Sequence, residues 1–300
     1  MRTERANAKI NLYLDVVGRR ENGYHNVISL MQTVSLCDLV TLEFRPGLHT
    51  SIHLSASGND AMPLDCRNLA WRAAERYLVR TGLSGEVLIS IEKHIPMAAG
   101  LAGGSSDAAA VLRGLNRLCG ERLSLSELCA LGAELGADIP FCILGGGARV
   151  SGIGEVLEPL SPMPPCHLSV ACMGEGISTP WGYGQLDEKY ANFADGVRDT
   201  APCDALIRAV GEGKLLQSTH LLYNIFEEIV PAVRPHVGLL KQTMLDAGAV
   251  ASMKPWPISM CAPSISKPLR CRSMGRTPKS QPPGMGTRAL PNRPSNAPRK

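Results

Sequence analysis

Between residues 95 and 120 the chain reads IPMAAGLAGGSSDAAAVLRGLNRLCG, a glycine and serine run that passes without interruption into an apolar period of helical spacing. Ala108, Val111, Leu112, Leu115 and Leu118 recur on one helical face, with Ser105 or Ser106 placed to cap, Asp107 in the first turn and Gly120 to stop the helix. Any fold for this chain must therefore set a loop against the N-terminus of a helix. Gly100, Gly103 and Gly104 let the backbone approach a guest closely, and the unpaired N–H groups and dipole of a helix start favour an anion. The expected guest is a polyphosphate. No Gly-Lys-Ser/Thr follows, so the run is not a Walker A loop, and its glycine spacing differs from the dinucleotide fingerprint.

The rest of the chain limits the setting. With 300 residues and 44% hydrophobic content, two medium domains are favoured over one large one. No apolar run approaches the roughly 18 residues that span a bilayer. The start, MRTERANAKINLYLDVV, enters an alternating strand without a signal-like apolar stretch, which points to a cytoplasmic protein. None of the ten cysteines forms a CxxC pair and the seven histidines form no His-rich tract, so buried free thiols and no structural metal are expected. The net charge of +4 hides a split: the last 47 residues carry ten Lys or Arg, no Asp or Glu and ten of the 22 prolines. An acidic body thus carries a basic, proline-rich tail.

In chain order, residues 8–17 alternate, with Ile10, Leu12, Leu14 and Val16 to one side and Lys9, Asn11, Tyr13 and Asp15 to the other. Lys9 and Asn11 are then neighbours on either a solvated strand face or a polar site wall. Asn22-Gly23 marks a turn into a strand over 27–34, and Tyr24-His25 at its exit is either half-buried structure or a platform for a planar ring. Strands are expected over 39–44, 49–54 and 87–91, and helices over 68–78 and 126–135, the latter capped by Ser124 or Ser126. Asp138, just before Ile139-Pro140, is either a turn aspartate or a base fixed at an element boundary. Strands are then expected over 141–144 and 148–150, a boundary near 160–166, a buried strand over 168–172, a loop over 176–187, and helices over 203–210, 221–229 and 235–246.

Taken together, Lys9 with Asn11, the loop PMAAGLAGGSSDAA and the segment LGADIPF resemble, in that order, the GHMP small-molecule kinases, over residues 6–253. The resemblance implies an α+β, two-domain GHMP kinase fold. Residues 1–158 would be a ribosomal protein S5 domain 2-like, ATP-binding domain, and 159–253 a ferredoxin-like domain left incomplete. Asp138 would be the general base and Lys9 its charge partner. Pro96, Met97, Ala98, Ala99, Gly100, Leu101, Ala102, Gly103, Gly104, Ser105 and Ser106 would wrap the ATP phosphates. Magnesium would accompany the ATP through few protein ligands, with Ser106 or Asp107 as candidates. Within the family, the segments AKINLYLDVVGRRENGYH and LGADIPFC are similar to members acting on a cytidine-diphosphate-linked methylerythritol. Tyr24, His25 and Tyr183 would then sandwich and read the cytosine, and Asn11, Lys93 and Thr179 would contact the rest of this small-molecule substrate. A monomer or homodimer, without nucleic acid or membrane as partner, is implied. The alternatives are a GHMP kinase for homoserine, mevalonate or a sugar, and an inactive scaffold that binds nucleic acid through its tail.

The family's third motif, a second glycine-serine loop, has its lead-in here, LDAGAVASM, but at residue 254 the chain turns to KPWPISMCAPSISKPLRCRSM. The abrupt loss of both motif and composition predicts a shifted reading frame over 254–300, a tail without structure, and impaired activity.

Overall fold

A computed structural model describes residues 1–263, apart from 60, 162, 172–177, 191–192, 194–197, 231–233 and 254–258. All of them belong to one compact unit, Met1–Pro268. Its spine is a hairpin of two long strands, β1 (Arg2–Arg19) and β2 (His25–Pro46), joined at the expected Asn22-Gly23 turn. Around them a seven-stranded sheet runs β3 (Ser51–Ser57), β4 (Gly85–Glu92), β2, β1 and β8 (Tyr223–Asn224). From β2 also branches β5 (Gly147–Ser151), paired in turn with β6 (Val156–Leu160). The boundary expected at 158/159 falls inside β6.

One face of the sheet carries α1 (Leu69–Thr81), α2 (Gly103–Leu118) and α3 (Leu125–Ala133). Their apolar stripes meet Val40, Leu42, Val87, Ile89 and Ile91 in a core that includes the fully buried Tyr77, Leu112 and Leu115. Local chemistry sets the ends of these helices. Asn68 caps α1 by accepting from the Ala70 amide at 2.8 Å, and Ser124 with Glu127 forms a capping box at α3. The helix α2 starts a turn earlier than expected: Ala102, in the left-handed region at φ 58°, is its N-cap, and neither Ser105 nor Ser106 caps it. Gly103 and Gly104 are consequently the first helical residues, because their amides are wanted at the end rather than inside.

The other face of β1 and β2 is not solvated, as strict alternation implies, but covered. Helix α6 (Ala201–Gly211) sets Cys203, Leu206 and Val210 against Ala8, Ile10 and Leu12, while α5 (Thr179–Lys189) and Phe226 pack on Leu14, Val16 and Val27. Burial on both faces makes Lys9, Asn11, Tyr13 and Asp15 interior groups.

Four expectations are corrected here. Residues 141–144 lie in helix α4 (Ile139–Leu144), not a strand, because Pro140 suits a first helical turn and Gly145, at φ 69°, ends it. Much of the run over 176–187 is α5 rather than loop, with Pro180 again in the first turn. The helix expected over 221–229 is broken by β8, whose Tyr223 and Asn224 pair with Tyr13 and Leu14 of β1; 3₁₀ segments, Leu216–Leu221 and Ile225–Glu228, flank it. Finally, Ser259–Pro263 (β10), inside the presumed tail, is a strand between β7 (Ser169–Ala171) and β9 (Ala249–Met253), preceded by α7 (Pro235–Asp246). Free ladder groups on two neighbouring strands accept a third whatever its composition. The remainder of the tail, and with it the expected frame change, lies outside the described residues.

Candidate active site

The ladder between β1 and β2 breaks register between Asn7 and Lys9 and again between Asn11 and Tyr13. Such bulges re-aim side chains and release backbone groups. The Lys9 amide accordingly leaves the ladder and donates to the Leu101 carbonyl at 3.1 Å, tying the glycine loop to the strand. The Lys9 ammonium donates to Asn11 Oδ1 at 3.2 Å and stands 3.7 Å from Asp138 Oδ2. Asp138 is the residue before α4, and its carboxylate makes no cap bond to that helix. It is therefore free to face a cleft of about 1010 Å³, where it remains 35% exposed beside a buried lysine.

The loop itself is built on a two-residue rhythm. Ala99 and Leu101 are buried in the core with Ile10 and Leu206, while Ala98, Gly100 and Ala102 between them have φ of 53°, 69° and 58°. Left-handed residues alternating with others turn successive N–H groups toward one concavity, the geometry of an anion nest, and the start of α2 follows directly. Pro96, Met97, Ala98, Ala99, Gly100, Leu101, Ala102, Gly103, Gly104 and Ser105 all line the cleft. Ser106 does not: its hydroxyl donates to the Asn7 carbonyl at 2.7 Å and lies 3.4 Å from Cys142 Sγ. The expectation that it touches phosphate or magnesium is corrected, because its helix position turns it to the strand. Burial pushes the Cys142 thiol up to about 12, so it is no nucleophile.

Behind the nest lies a charge cluster. Lys93, at the end of β4, donates to Asp107 Oδ2 at 2.7 Å and to Asp38 Oδ2. The other Asp38 oxygen accepts from the amides of His94 and Ile95 at 2.6 and 2.8 Å, which fixes the entry to the loop. Burial pushes the Asp107 carboxyl up to about 7 against the pull of Lys93, with the Asp38 charge adding to the rise. Asp107 Oδ1 is buried without a hydrogen-bond partner among the described residues, and Asp107 lines the cleft.

At the opposite end, His25 stacks on Tyr183, with ring centroids 4.6 Å apart and 20° between planes, and its Nε2 lies 2.7 Å from Asp187 Oδ1. Burial, then the nearby Asp138 charge, pushes the Tyr183 phenol up to about 12. Tyr24 is 59% exposed at the rim, and Thr179 lines the wall. Lys9, Asn11, Lys93, Asp138, Tyr24, His25, Thr179 and Tyr183 thus share one cleft. Sequence reading missed Asp38 and Asp187. Asp38 is an acid inside the apolar run SLCDLV, a signal in itself; Asp187 follows Thr179 and Tyr183 at steps of four, a helical face hidden by reading the segment as loop.

Residues 68–146 match the GHMP kinases N terminal domain. The chain is 41% identical over 250 residues to the 4-diphosphocytidyl-2-C-methyl-D-erythritol kinase of Alkaliphilus metalliredigens (strain QYMF), covering 83% of this chain and 82% of the relative. The chain belongs to the 4-diphosphocytidyl-2-C-methyl-D-erythritol kinase family. A crystal structure of 4-(cytidine 5'-diphospho)-2C-methyl-D-erythritol kinase superposes with a TM-score of 0.70 at 33% identity, over 87% of this chain and 90% of that one. A mevalonate kinase from L. major in complex with R-mevalonate, at 16% identity and a TM-score of 0.64, shares the fold over 89% of this chain and 88% of its own. Among the described residues no helix is long and apolar enough to cross a membrane. The cleft thus joins an anion nest to a pair of stacked rings, and Lys9 and Asp138 line it with them.

Proposed function

We propose that this chain is an ATP-dependent kinase that transfers the γ-phosphoryl group to the 2-hydroxyl of 4-diphosphocytidyl-2-C-methyl-D-erythritol, in the non-mevalonate route to isoprenoid precursors. The observation that carries the site assignment is the approach of Lys9 to Asp138 at 3.7 Å on the wall between the nest and the aromatic pocket. Phosphoryl transfer asks mainly for alignment and charge compensation. The acceptor hydroxyl oxygen bonds to the γ-phosphorus as the bond to the β–γ bridging oxygen breaks; its proton passes to the Asp138 carboxylate, and ADP departs. Lys9, steadied by Asn11, offsets negative charge on the reacting oxygens.

The nest from Pro96 to Ser105 cradles the phosphates. Tyr24, His25 and Tyr183 take the cytosine, while Asn11, Lys93 and Thr179 contact the rest of the acceptor. Two of the three Lys93 donors go to Asp38 and Asp107, which leaves one for this purpose. Magnesium fits the phosphate end: an unpartnered, buried carboxylate oxygen of Asp107 is an oxygen donor of the kind a hard cation takes. When bound with ATP it neutralises phosphate charge.

Consumption of ATP with the cytidine diphosphate acceptor, compared across the native chain, Lys9→Ala and Asp138→Asn, tests the reading. Each substitution is expected to lower kcat about 10³-fold with little change in the ATP KM. Full activity in Asp138→Asn would remove it as base.

A further inference from the structure

Asp187 reaches the cleft from α5, far from the catalytic pair in sequence, and joins two parts of the β1–β2 hairpin. Its Oδ1 lies 2.7 Å from His25 Nε2, and its Oδ2 lies 3.7 Å from a terminal nitrogen of Arg19. Both His25 and Asp187 are mostly buried, at 7% and 16% side-chain exposure, and both line the cleft. A carboxylate can only accept, so it takes the Nε2 proton of the neutral ring and leaves Nδ1 with a lone pair. Among the described residues no hydrogen bond engages Nδ1. Tyr183 stacks on the imidazole at 20°, and both rings line the cleft.

A base lying in that cleft, coplanar with the imidazole, would meet an acceptor nitrogen edge on. Cytosine has a single N–H donor on its pairing edge, the 4-amino group, whereas uracil carries a carbonyl oxygen at the same position. We propose that Asp187 is a positioning residue for base selection: by fixing His25 as the Nε2–H tautomer it presents Nδ1 as the acceptor that admits a 4-aminopyrimidine and repels a 4-oxopyrimidine. The inference rests on the proposed function and adds to it the residue that sets its base specificity.

Arg19 sharpens the test. In Asp187→Asn one side-chain oxygen is left for two partners, and an oxygen kept on the Arg19 guanidinium turns the amide N–H₂ toward His25. The ring then accepts at Nε2 and carries its proton on Nδ1, which faces the 4-amino group donor to donor and suits a 4-carbonyl.

The experiment measures kcat/KM with ATP for the cytidine diphosphate acceptor and for its uridine analogue, in the native chain and in Asp187→Asn. The native chain is expected to favour cytidine by about 100-fold or more, and the variant to lose at least about tenfold of that ratio through the acceptor KM, with the ATP KM held. Nitrogen-15 NMR of the histidines should place the native His25 proton on Nε2. An unchanged cytidine-to-uridine ratio in a folded Asp187→Asn, or a native proton on Nδ1, would overturn the assignment of Asp187 alone. A native chain that phosphorylates neither acceptor would overturn the kinase reading, and this inference with it.

Discussion

At the nest end of the cleft, Asp38, Lys93 and Asp107 are almost wholly buried and close on one another and on the loop backbone; at the aromatic end, proposed to take the base, His25, Tyr183 and Asp187 meet between a hairpin and a distant helix, with His25 and Asp187 7% and 16% exposed. The first arrangement is built into the core, and in the proposed reaction it backs the loop that takes a triphosphate. The second, in the proposed reaction, admits one particular base, and its parts are joined by contacts between segments far apart in sequence. The proposed catalytic pair, Lys9 and Asp138, combines the two regimes, one member buried and the other more than a third exposed.

The largest break expected is Lys93→Met. It leaves two carboxylates in the interior, one of them already short of a partner, and should destabilise the fold by roughly 3–5 kcal/mol. Asp187→Ala, at the other end, removes one hydrogen bond to His25 and a contact with an Arg19 that is 36% exposed, and should cost less, about 1–2 kcal/mol. Urea unfolding of both variants measures the contrast. Equal losses would mean that the base end is as much a part of the core as the nest.

A second test exploits Asp15, on β1 beyond Lys9. Its carboxyl is 4% exposed, accepts from the Val16 amide at 2.8 Å and faces Arg198 at 3.4 Å. Burial nonetheless pushes its pKa up from 3.8 to about 6, against the pull of Arg198. The folded state therefore holds this proton to higher pH than the unfolded chain does. Stability contributed by the protonated form is complete below about pH 4 and is lost as pH rises to about 6, by on the order of 2 kcal/mol. Asp15→Asn keeps the acceptor and cannot titrate, so its Tm relative to the native chain should rise between pH 4 and pH 6.5. A difference that stays flat over that range would show that Arg198 compensates the buried charge in full.

The same contrast explains what the amino-acid sequence disclosed. The loop and the body of α2 are local, so glycines, a proline and an apolar period sufficed to find them, while the cap fell a turn earlier, at Ala102, than the serines suggested. Lys9, Asn11 and Asp138 stood out because their neighbours alternate or cap. The base end depends on pairs such as His25 with Asp187, 162 positions apart, and on a helix disguised by Pro180, Gly182 and Gly184. Glycine and proline there lower helix propensity, and packing on Leu14, Val16 and Phe226 overrides it. Burial of Tyr13 and Asp15 on the second face of β1 was equally invisible, since it depends on helices that follow much later.

The smallest effect expected lies in the loop and separates its two kinds of left-handed residue. An L-residue pays roughly 1–2 kcal/mol in that region, which glycine avoids. Gly100 already has φ 69°, so Gly100→Ala should lower stability by about 1 kcal/mol. Ala102, at φ 58°, is held there by the Leu101 carbonyl bond to Lys9 on one side and by the first turn of α2 on the other. Ala102→Gly should relieve the strain, and after the added freedom of the unfolded chain is subtracted the gain is roughly 0.5 kcal/mol. Relief of strain also loosens the nest, so the ATP KM should rise severalfold while the acceptor KM stays put. Thermal melts and the two KM values decide the matter together. A variant that is less stable, with an unchanged ATP KM, would show that the Ala102 methyl contributes packing, and that the loop owes its shape to its buried anchors Ala99 and Leu101 alone.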